Sequence, residues 1–441
     1  MASGRFEKLA GKVRPGTYIN FESTKVGTVG MGERGIVVMP FAGHDYGPTK
    51  EFITIKNTAP DAARAKLGHS IYDDNANMLL VREALKNAAT VIVYITASGT
   101  KASGTGGGLR AEAVYGGVRG NDLAYAISAN PVKGFDVTVT LGGATMSTYE
   151  GVSTAAELAG DPYIAFTAEG DALSAVAGVK LTGATANANI NENITAFLDA
   201  IEAIKFNALC FPISDEALKT AAVSKIKYLR DGVGKCVVGV LADCNADYEG
   251  VINVTNSVIV DGVPLTHAQA TAWVAGASAG ASHVQSNTYK VYVGATGIVD
   301  VKTHEAAVTA IKNGEFFFAL SEEGNVIAEY DINSLVTIDS RKDDSYKKNR
   351  VIRVFDAFAE SIKLNFPPNK YDNSSTGWDI MEGVGRSILK LFADAGAISD
   401  VDYDADFLVD REASVGDKTY FNIALKPVDS AEKLFFTVGT R

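Results

Sequence analysis

The amino-acid sequence predicts a multidomain protein of the α/β and α+β classes: an α/β sheet domain with an inserted β-sandwich or barrel-like domain, then a C-terminal α+β domain. Extended β arms are predicted at both ends. Three observations support this architecture. Apolar runs alternate with helical patterns, the composition changes after residue 97 and reverts near 185, and both chain ends are strand-like. At 441 residues, the chain is long enough for several domains with their own cores.

Residues 1–25 are predicted to form an N-terminal arm. The arm contains an apolar, strand-like stretch where most soluble chains have polar, frayed residues. This stretch consists of Thr17, Tyr18, Ile19, Asn20 and Phe21. A strand needs partners for its N–H and C=O groups, and if these lie on other copies of the chain, the arm is an assembly device.

The α/β domain is predicted to be discontinuous, with residues 26–97 and 185–340. Apolar runs suited to buried strands occupy residues 35–39, 90–96, 206–211, 235–241 and 258–260. Apolar residues at helical spacing cover 76–88, 194–204 and 216–229. Alternation of strands and helices predicts a sheet covered by helices.

Residues 98–184 are predicted to form the inserted β-domain. A glycine-rich connector opens it at 98–108, and residues 123–128 and 135–141 then alternate between apolar and polar with period two. Several short strands with Gly and Asn-Pro turns between them are typical of a small sandwich or barrel.

The C-terminal domain is predicted over residues 341–441. An amphipathic helix over 343–358 is followed by Pro367 and Pro368, which end it, and by a second helix over 375–395. The second helix is predicted to point five apolar side chains inward, namely Ile380, Val384, Ile388, Leu391 and Phe392. Two strands, over 419–425 and 434–438, close the chain.

The composition excludes several classes of function. A net charge of −11 argues against nucleic-acid binding, and the basic cluster between 341 and 353, which Asp343 and Asp344 interrupt, is interpreted as a solvated or interface face of a helix. Three cysteines without metal-ligand spacing fit a protein made in a cytoplasm. We expect no membrane insertion, because no apolar run approaches the length of a membrane span.

Two glycine-containing motifs resemble catalytic or phosphate-binding loops. Residues 276–280 match G-x-S-x-G with Ser278 as nucleophile, but the preceding residues predict a helix capped by Thr266, so close helix packing is favoured. Residues 232–235 lack the first glycine of a phosphate loop, and Cys236 replaces the Ser or Thr that would bind magnesium. We interpret this second motif as a turn before a strand.

No metal site is predicted either. Four alternating aspartates resemble the start of a calcium loop, but Ala405 and Arg411 stand where that loop needs Gly and Glu. These aspartates are Asp400, Asp402, Asp404 and Asp406. The five histidines show no ligand spacing. We therefore predict no enzyme, no cofactor and no metal, although a triad assembled from distant residues leaves no local pattern.

Five stretches, in order along the chain, resemble the contractile phage tail sheath proteins of Gram-positive myophages, defective prophages and R-type bacteriocins. They are RPGTYINFE (14–22), YGGVRGND (115–122), AWVAGASAG (272–280), YKKNRVIR (346–353) and PVDSAEKLFFTV (427–438). The third stretch contains the G-x-S-x-G motif, which weakens the nucleophile interpretation. Ser278 departs from the more apolar residue expected there.

The resemblance implies stacked hexameric rings around an inner tail tube, and contraction that drives the tube through a target envelope without nucleotide hydrolysis. It implies partners in other copies of the chain, the tube protein, and baseplate and tail terminator proteins, with no nucleic acid. It also implies synthesis in a bacterial cytoplasm and release by lysis in a phage or bacteriocin particle.

The resemblance further implies roles for the arms. Thr17–Phe21 would be a donated strand, and a second donated strand would consist of Leu434, Phe435, Phe436, Thr437 and Val438. The acceptor sheet would include Tyr420, Phe421, Asn422, Ile423, Ala424 and Leu425. Arg386 and Lys390 would face the tube or would simply be exposed to solvent. A surface adhesin and a Ser278 hydrolase remain alternatives.

Overall fold

The computed structural model describes the strands Ala2–Gly4 and Gly16–Tyr18 and residues 34–440, except Asp171, Ile190 and Glu192. The predicted class is confirmed, because helices and several separate sheets alternate along the chain. The α-helices are Arg64–Leu67, Ala76–Leu85, Ile194–Ala200, Glu216–Lys227, His267–Gly280, His304–Lys312, Asn349–Asn365 and Ser375–Asp394.

A seven-stranded sheet forms the centre of the molecule. Its strands, in spatial order, are Glu315–Phe316, Val251–Val254, Val238–Ala242, Ala208–Phe211, Ile36–Phe41, Thr90–Ile95 and Phe52–Lys56. All neighbours are parallel except the edge strand Phe52–Lys56, which pairs antiparallel. The sheet therefore takes strands from both sides of the segment 98–184.

Helices cover both faces of this sheet, which explains why its central strands read as continuous apolar runs. Val37 and Met39 point to the core that contains Trp273. Val38, between them, points to the opposite core with Phe197 and Ile226. The alternation follows from the period of two along a strand.

The segment 98–184 forms two small antiparallel sheets around a separate core. One sheet has the order Ala144–Val152, Phe135–Leu141, Leu123–Ala129, Val176–Lys180, and the other has the order Ile164–Ala168, Leu109–Ala113, Ser103–Gly106. Leu123, Val137 and Ile164 are among the residues of the shared core. Smaller sheets elsewhere comprise Val263–Pro264, Ser257–Val260 and Ala295–Val299, and the pair Phe318–Leu320 and Val326–Ala328.

The helix His267–Gly280 shows why the G-x-S-x-G motif occurs. Thr266 caps this helix as predicted, in a capping box with Gln269. A Cβ on Gly276 would lie 2.3 Å from the carbonyl oxygen of Ala84, and one on Gly280 would lie 2.0 Å from that of Asn87. The glycines thus allow two helices to approach closely. Ser278 is buried in the helix interior, so the strand–turn–helix geometry of a nucleophile elbow is absent there.

The last part of the chain, residues 341–440, is called the C-terminal unit here. Its two helices, Asn349–Asn365 and Ser375–Asp394, pack through Val354, Phe358, Ile388 and Phe392. Two predictions are wrong in detail. The first helix begins at Asn349 after a 3₁₀ turn over Asp344–Lys347, and Ile380, predicted to point inward, is 53% exposed.

Two buried ion pairs join the C-terminal unit to the large sheet domain. Arg353 Nη2 lies 2.6 Å from Asp331 Oδ2, and Arg230 contacts both carboxylate oxygens of Asp356, at 2.8 and 3.0 Å. Burial alone would raise the pKa of Asp331, but Arg353 and the N–H of Asn287 outweigh it and lower that pKa. Because Arg353 is buried against Asp331 of the large domain, the basic cluster is an interface at this residue, and the alternative of a solvated face is wrong for it.

Substitution of Gly276 by Ala is expected to destabilise the protein by about 1–3 kcal/mol, since the methyl group forces two helix backbones apart. Urea unfolding followed by circular dichroism measures this. Gly383→Ala is the matched control, because a Cβ at this helical glycine meets nothing within 4 Å. An unchanged unfolding midpoint for Gly276→Ala would contradict the close-packing explanation.

Asp331→Asn should lower the free energy of unfolding by about 3–5 kcal/mol, because Arg353 is left with a buried, uncompensated charge. Asp400→Asn serves as control: it removes an exposed partner of Lys426 and should have a much smaller effect. Equal effects of the two substitutions in the same unfolding assay would show that the buried pair does not stabilise the contact between the C-terminal unit and the large sheet domain.

Candidate assembly site

The structure places the predicted acceptor residues in a two-stranded antiparallel hairpin, Phe407–Val415 and Lys418–Ile423. Tyr420, Phe421, Asn422 and Ile423 lie in its second strand. Ala424 and Leu425 were predicted there but lie outside it, because the strand ends at Ile423. Ala424 still donates its N–H to the carbonyl of Asp406 at 3.0 Å, immediately beyond the last pair.

One edge of this hairpin is open among the residues that the structure describes. Ala424 is hydrogen-bonded to Asp406, and Asn422 pairs with Leu408 two residues earlier. In an antiparallel pair every second residue bonds across to the partner strand, so Ala424 and Asn422 are such residues. Phe421 and Ile423 alternate with them, so their N–H and C=O groups point away from Phe407–Val415. This edge can accept a further strand.

The opposite edge is covered by the helix Ser375–Asp394. Val409 points its N–H away from the hairpin, and Glu382 on this helix accepts that hydrogen bond at 3.0 Å. The neighbouring Arg411 contacts the other carboxylate oxygen of Glu382 at 3.3 Å. The hairpin thus offers its Lys418–Ile423 edge for pairing.

The chain after the hairpin is anchored along residues 427–433. Val428 donates to the carbonyl of Ala397 at 2.9 Å, and Arg350 donates to the hydroxyl of Ser430 at 2.6 Å. Glu432 forms an ion pair with Lys348 and accepts from Ser286 at 2.7 Å. Burial alone would raise the pKa of Glu432, but the hydrogen bonds from Lys348 and Ser286 lower it.

Sequence reasoning missed this anchor. The signal was present in the basic cluster, where Lys348 and Arg350 turn toward the C-terminal segment instead of toward solvent. Nothing local in the sequence pairs Lys348 with Glu432, 84 residues further along the chain.

The C-terminal stretch beyond the anchor projects into solvent. Phe435 is 92% exposed and Phe436 is 83% exposed, and Leu434 and Val438 are also exposed. Residues 434–438 form no strand in the single chain and pair with none of the strands that the structure describes. Their donation to a neighbouring copy stays a prediction. Large apolar side chains on an extended segment are unusual unless something covers them.

The remaining predicted residues stay apart from this site. Thr17 and Tyr18 lie in the strand Gly16–Tyr18, which pairs parallel with Ala2–Gly4, while Ile19, Asn20 and Phe21 lie outside the described residues. Arg386 and Lys390 occupy the exposed face of the helix Ser375–Asp394, where Arg386 donates to the carbonyl of Tyr403. A role against the tube stays a prediction for both.

Within the described ranges, no group of His, Cys, Asp or Glu residues could hold a metal ion, and no helix is long and apolar enough to cross a membrane. Asp402 and Asp406 instead close a short turn, in which the Asp402 N–H donates to Asp406 at 2.7 Å. At the second glycine motif, a π-helix over Tyr228–Gly232 ends where a turn was predicted, and the strand Val238–Ala242 follows after a short irregular stretch. Lys235 donates its side-chain N–H to the carbonyl of Ile204 at 3.0 Å.

Comparison with known protein families matches three parts of the chain. Residues 153–334 match the phage tail sheath protein central domain, and residues 341–441 match the phage tail sheath C-terminal domain. Residues 34–94 match the tail sheath protein Gp18 domain III N-terminal region. Together these matches include the large sheet and the C-terminal unit, and they define a tail sheath protein.

Full-length relatives agree with the family matches. The chain is 35% identical to the Bacillus subtilis protein XkdK of the phage-like element PBSX, over 99% of both chains. The crystal structure of a sheath tail protein from Desulfitobacterium hafniense is similar with a TM-score of 0.84 and 37% identity, covering 96% of this chain and 99% of that one. The chain belongs to the contractile phage tail sheath family.

A more distant structure shares the fold. The contracted helical sheath of the anti-feeding prophage has a TM-score of 0.59 at 13% identity, over 98% of this chain and 100% of that one. Sheath proteins of this family are structural components of phage tails and contractile particles and are not known as enzymes. The elbow geometry that a Ser278 hydrolase requires is absent from the buried helix His267–Gly280.

Glu432→Gln should loosen the anchored segment, because it removes the charge that Lys348 neutralises. Hydrogen exchange should show faster exchange of the amides of residues 428–433. The exposed Glu322→Gln is the control. Because the pKa of Glu432 is lowered in the fold, its contribution is complete above about pH 4.3 and is lost as the pH falls through the lowered pKa. Unchanged exchange would contradict the anchoring role.

Proposed function

We propose that this chain is the subunit of a contractile sheath, which polymerises as stacked hexameric rings around an inner tube and shortens to drive the tube through a target envelope. The observation that carries the proposal is the combination, in one chain, of an open hairpin edge and an unburied apolar tail. The hairpin edge has free backbone hydrogen-bonding groups, and the tail of the same chain does not pair with it, so the tail of another chain is suited to do so.

In this proposal the tail of one subunit joins the hairpin of a neighbour, and the N-terminal arm with Thr17–Phe21 does the same at another neighbour. Repetition of a head-to-tail contact gives rings if it closes and helical assemblies if it does not. The subunits stay connected through their arms while they move outward. The contracted arrangement is the more stable one, behind a barrier that the baseplate removes.

The domain division belongs to the same proposal. Residues 26–97 and 185–340 form the α/β domain, residues 98–184 the insert, and residues 341–441 the C-terminal domain. Support comes from the large sheet, whose strands lie on both sides of the insert, and from the separate core of the insert. The inner tube would contact the C-terminal domain, through Arg386 and Lys390.

The proposed partners are other copies of the chain, the tube protein, and the baseplate and tail terminator proteins. The subunit would be made in a bacterial cytoplasm and released by lysis within its particle. No cofactor enters this mechanism, because the energy is stored in the extended assembly.

The purified full-length chain should form hollow tubes visible by negative-stain electron microscopy. A chain that ends at Lys433 should remain folded, because the removed residues are exposed and outside all cores, but it should form no tubes. Deletion of residues 1–22 should have the same result. Circular dichroism and thermal unfolding check that both truncated chains are folded.

Tubes of normal morphology from either truncation would refute the role of that arm. A full-length chain that stays small at high concentration, and binds a surface through its insert, would support the adhesin alternative instead.

A further inference from the structure

A groove lies beside the open edge of the hairpin, between it and the helix Asn349–Asn365. Its volume is about 580 Å³, within the range of about 300–1,000 Å³ typical of ligand pockets. The apolar part of its lining consists of Tyr346, Phe355, Phe358, Ile423, Leu425 and Pro427. Polar groups form at least as much of its lining and include Asp343, Ser345 and Lys426.

The position of the groove relative to the edge follows from the strand geometry. Phe421 and Ile423 lie on one face of the strand, since side chains alternate along it, and Leu425 continues this spacing. Phe421 and Leu425 pack against the helical core of the C-terminal unit, so this face points toward the helices. Phe421 and Ile423 are also the residues whose N–H and C=O groups point outward. A strand added at this edge therefore lies alongside the groove.

We propose that this groove receives the side chain of Phe436 from the C-terminal tail of a second copy of this chain, flanked by Leu434 and Val438. The inference rests on the strand donation of the proposed function and deepens it, by assigning an inward and an outward face to the tail. The occupant is argued from the tail itself, whose phenylalanines remain uncovered in the single chain.

The period of two along a strand selects Phe436 over Phe435. In one orientation Leu434, Phe436 and Val438 face the groove, and all three are apolar. In the other orientation only one large apolar side chain, that of Phe435, faces it, together with Thr437. The first orientation buries more apolar area, so it is favoured.

The tail of the same chain does not occupy its own groove. Glu432 is bound by Lys348 and Ser286. The Lys433 ammonium lies 5.6 Å from the centre of the Tyr330 ring, and both of these residues line a pocket separate from the groove. Phe435, two residues later, is 92% exposed. The groove and the tail are therefore both available to other copies.

A fluorescent peptide of residues 432–440 tests the assignment against the full-length chain carrying Phe436→Ser, whose own tail should not compete. The wild-type peptide should bind, and the Phe436→Ala peptide should bind about tenfold more weakly or worse. The Phe435→Ala peptide is the matched control and should lose much less. Equal losses, or a larger loss for Phe435→Ala, would overturn the assignment.

A second pair of variants tests the groove itself. Ile423→Lys in the receiving chain should weaken peptide binding by about tenfold or more, because a charge enters the apolar lining. Ile338→Lys is the control, since Ile338 and Ile423 are both 39% exposed and Ile338 does not line the groove. Equal binding to the two variants would overturn the proposal, and the peptide series stays informative if Ile423→Lys fails to fold.

Electron microscopy separates this inference from the proposed function. Full-length Phe436→Ala should form few or no tubes, and Phe435→Ala should form them. If the chain that ends at Lys433 forms no tubes but both alanine variants form them normally, the strand donation stands and the groove assignment fails. If the truncated chain itself forms tubes, strand donation by the tail fails as well.

Discussion

The position of the hairpin and tail depends on two buried ion pairs that involve one helix. Arg353 and Asp356, both on Asn349–Asn365, bind Asp331 and Arg230 of the large domain. Breaking a buried pair by loss of one partner costs about 3–5 kcal/mol, so rotation of the C-terminal unit about this joint would have to break both pairs at once. The open edge and the anchored segment 427–433 are therefore held to the large domain, and in the proposed sheath the movement between subunits would take place in the segments that connect them.

The inserted domain docks beside a central strand of the large sheet. Strand order reverses between Ile36–Phe41 and Ala208–Phe211, and in open α/β sheets the ends of such strands form a binding crevice. Here the inserted domain docks at this edge. The Tyr46 hydroxyl donates to the carbonyl of Tyr163, and the Arg119 N–H donates to that of Asp45 at 3.1 Å, so the insert contacts the loop that follows Ile36–Phe41. These protein contacts lie next to the carboxyl end of Ile36–Phe41, one of the two strands that flank the reversal.

Regular elements could be predicted from local patterns, because their physical causes are local. The strand over 135–141 and the cap at Thr266 follow from alternation and from a capping box. The errors arise where a contact with a residue distant in sequence determines the local structure. The strand ends at Ile423 because its partner strand begins at Phe407, the residue opposite Ile423. Lys348 turns inward because it forms an ion pair with Glu432, far along the chain. The groove could not be predicted, since its walls come together only in the tertiary structure.

The energetics of the tail favour a contact that forms only within an assembly. Complete burial of the three side chains that face the groove, Leu434, Phe436 and Val438, would contribute about 4.5–9 kcal/mol. Ordering five residues in an extended conformation costs about 5–10 kcal/mol. The difference is small, so in the proposed contact one tail alone would bind weakly, and main-chain hydrogen bonds along the hairpin edge would supply the remaining stabilisation. Once a subunit is held by several neighbours, each further tail binds at a high effective concentration. In the proposed sheath, many such weak contacts acting together would keep the mesh connected while its subunits rotate.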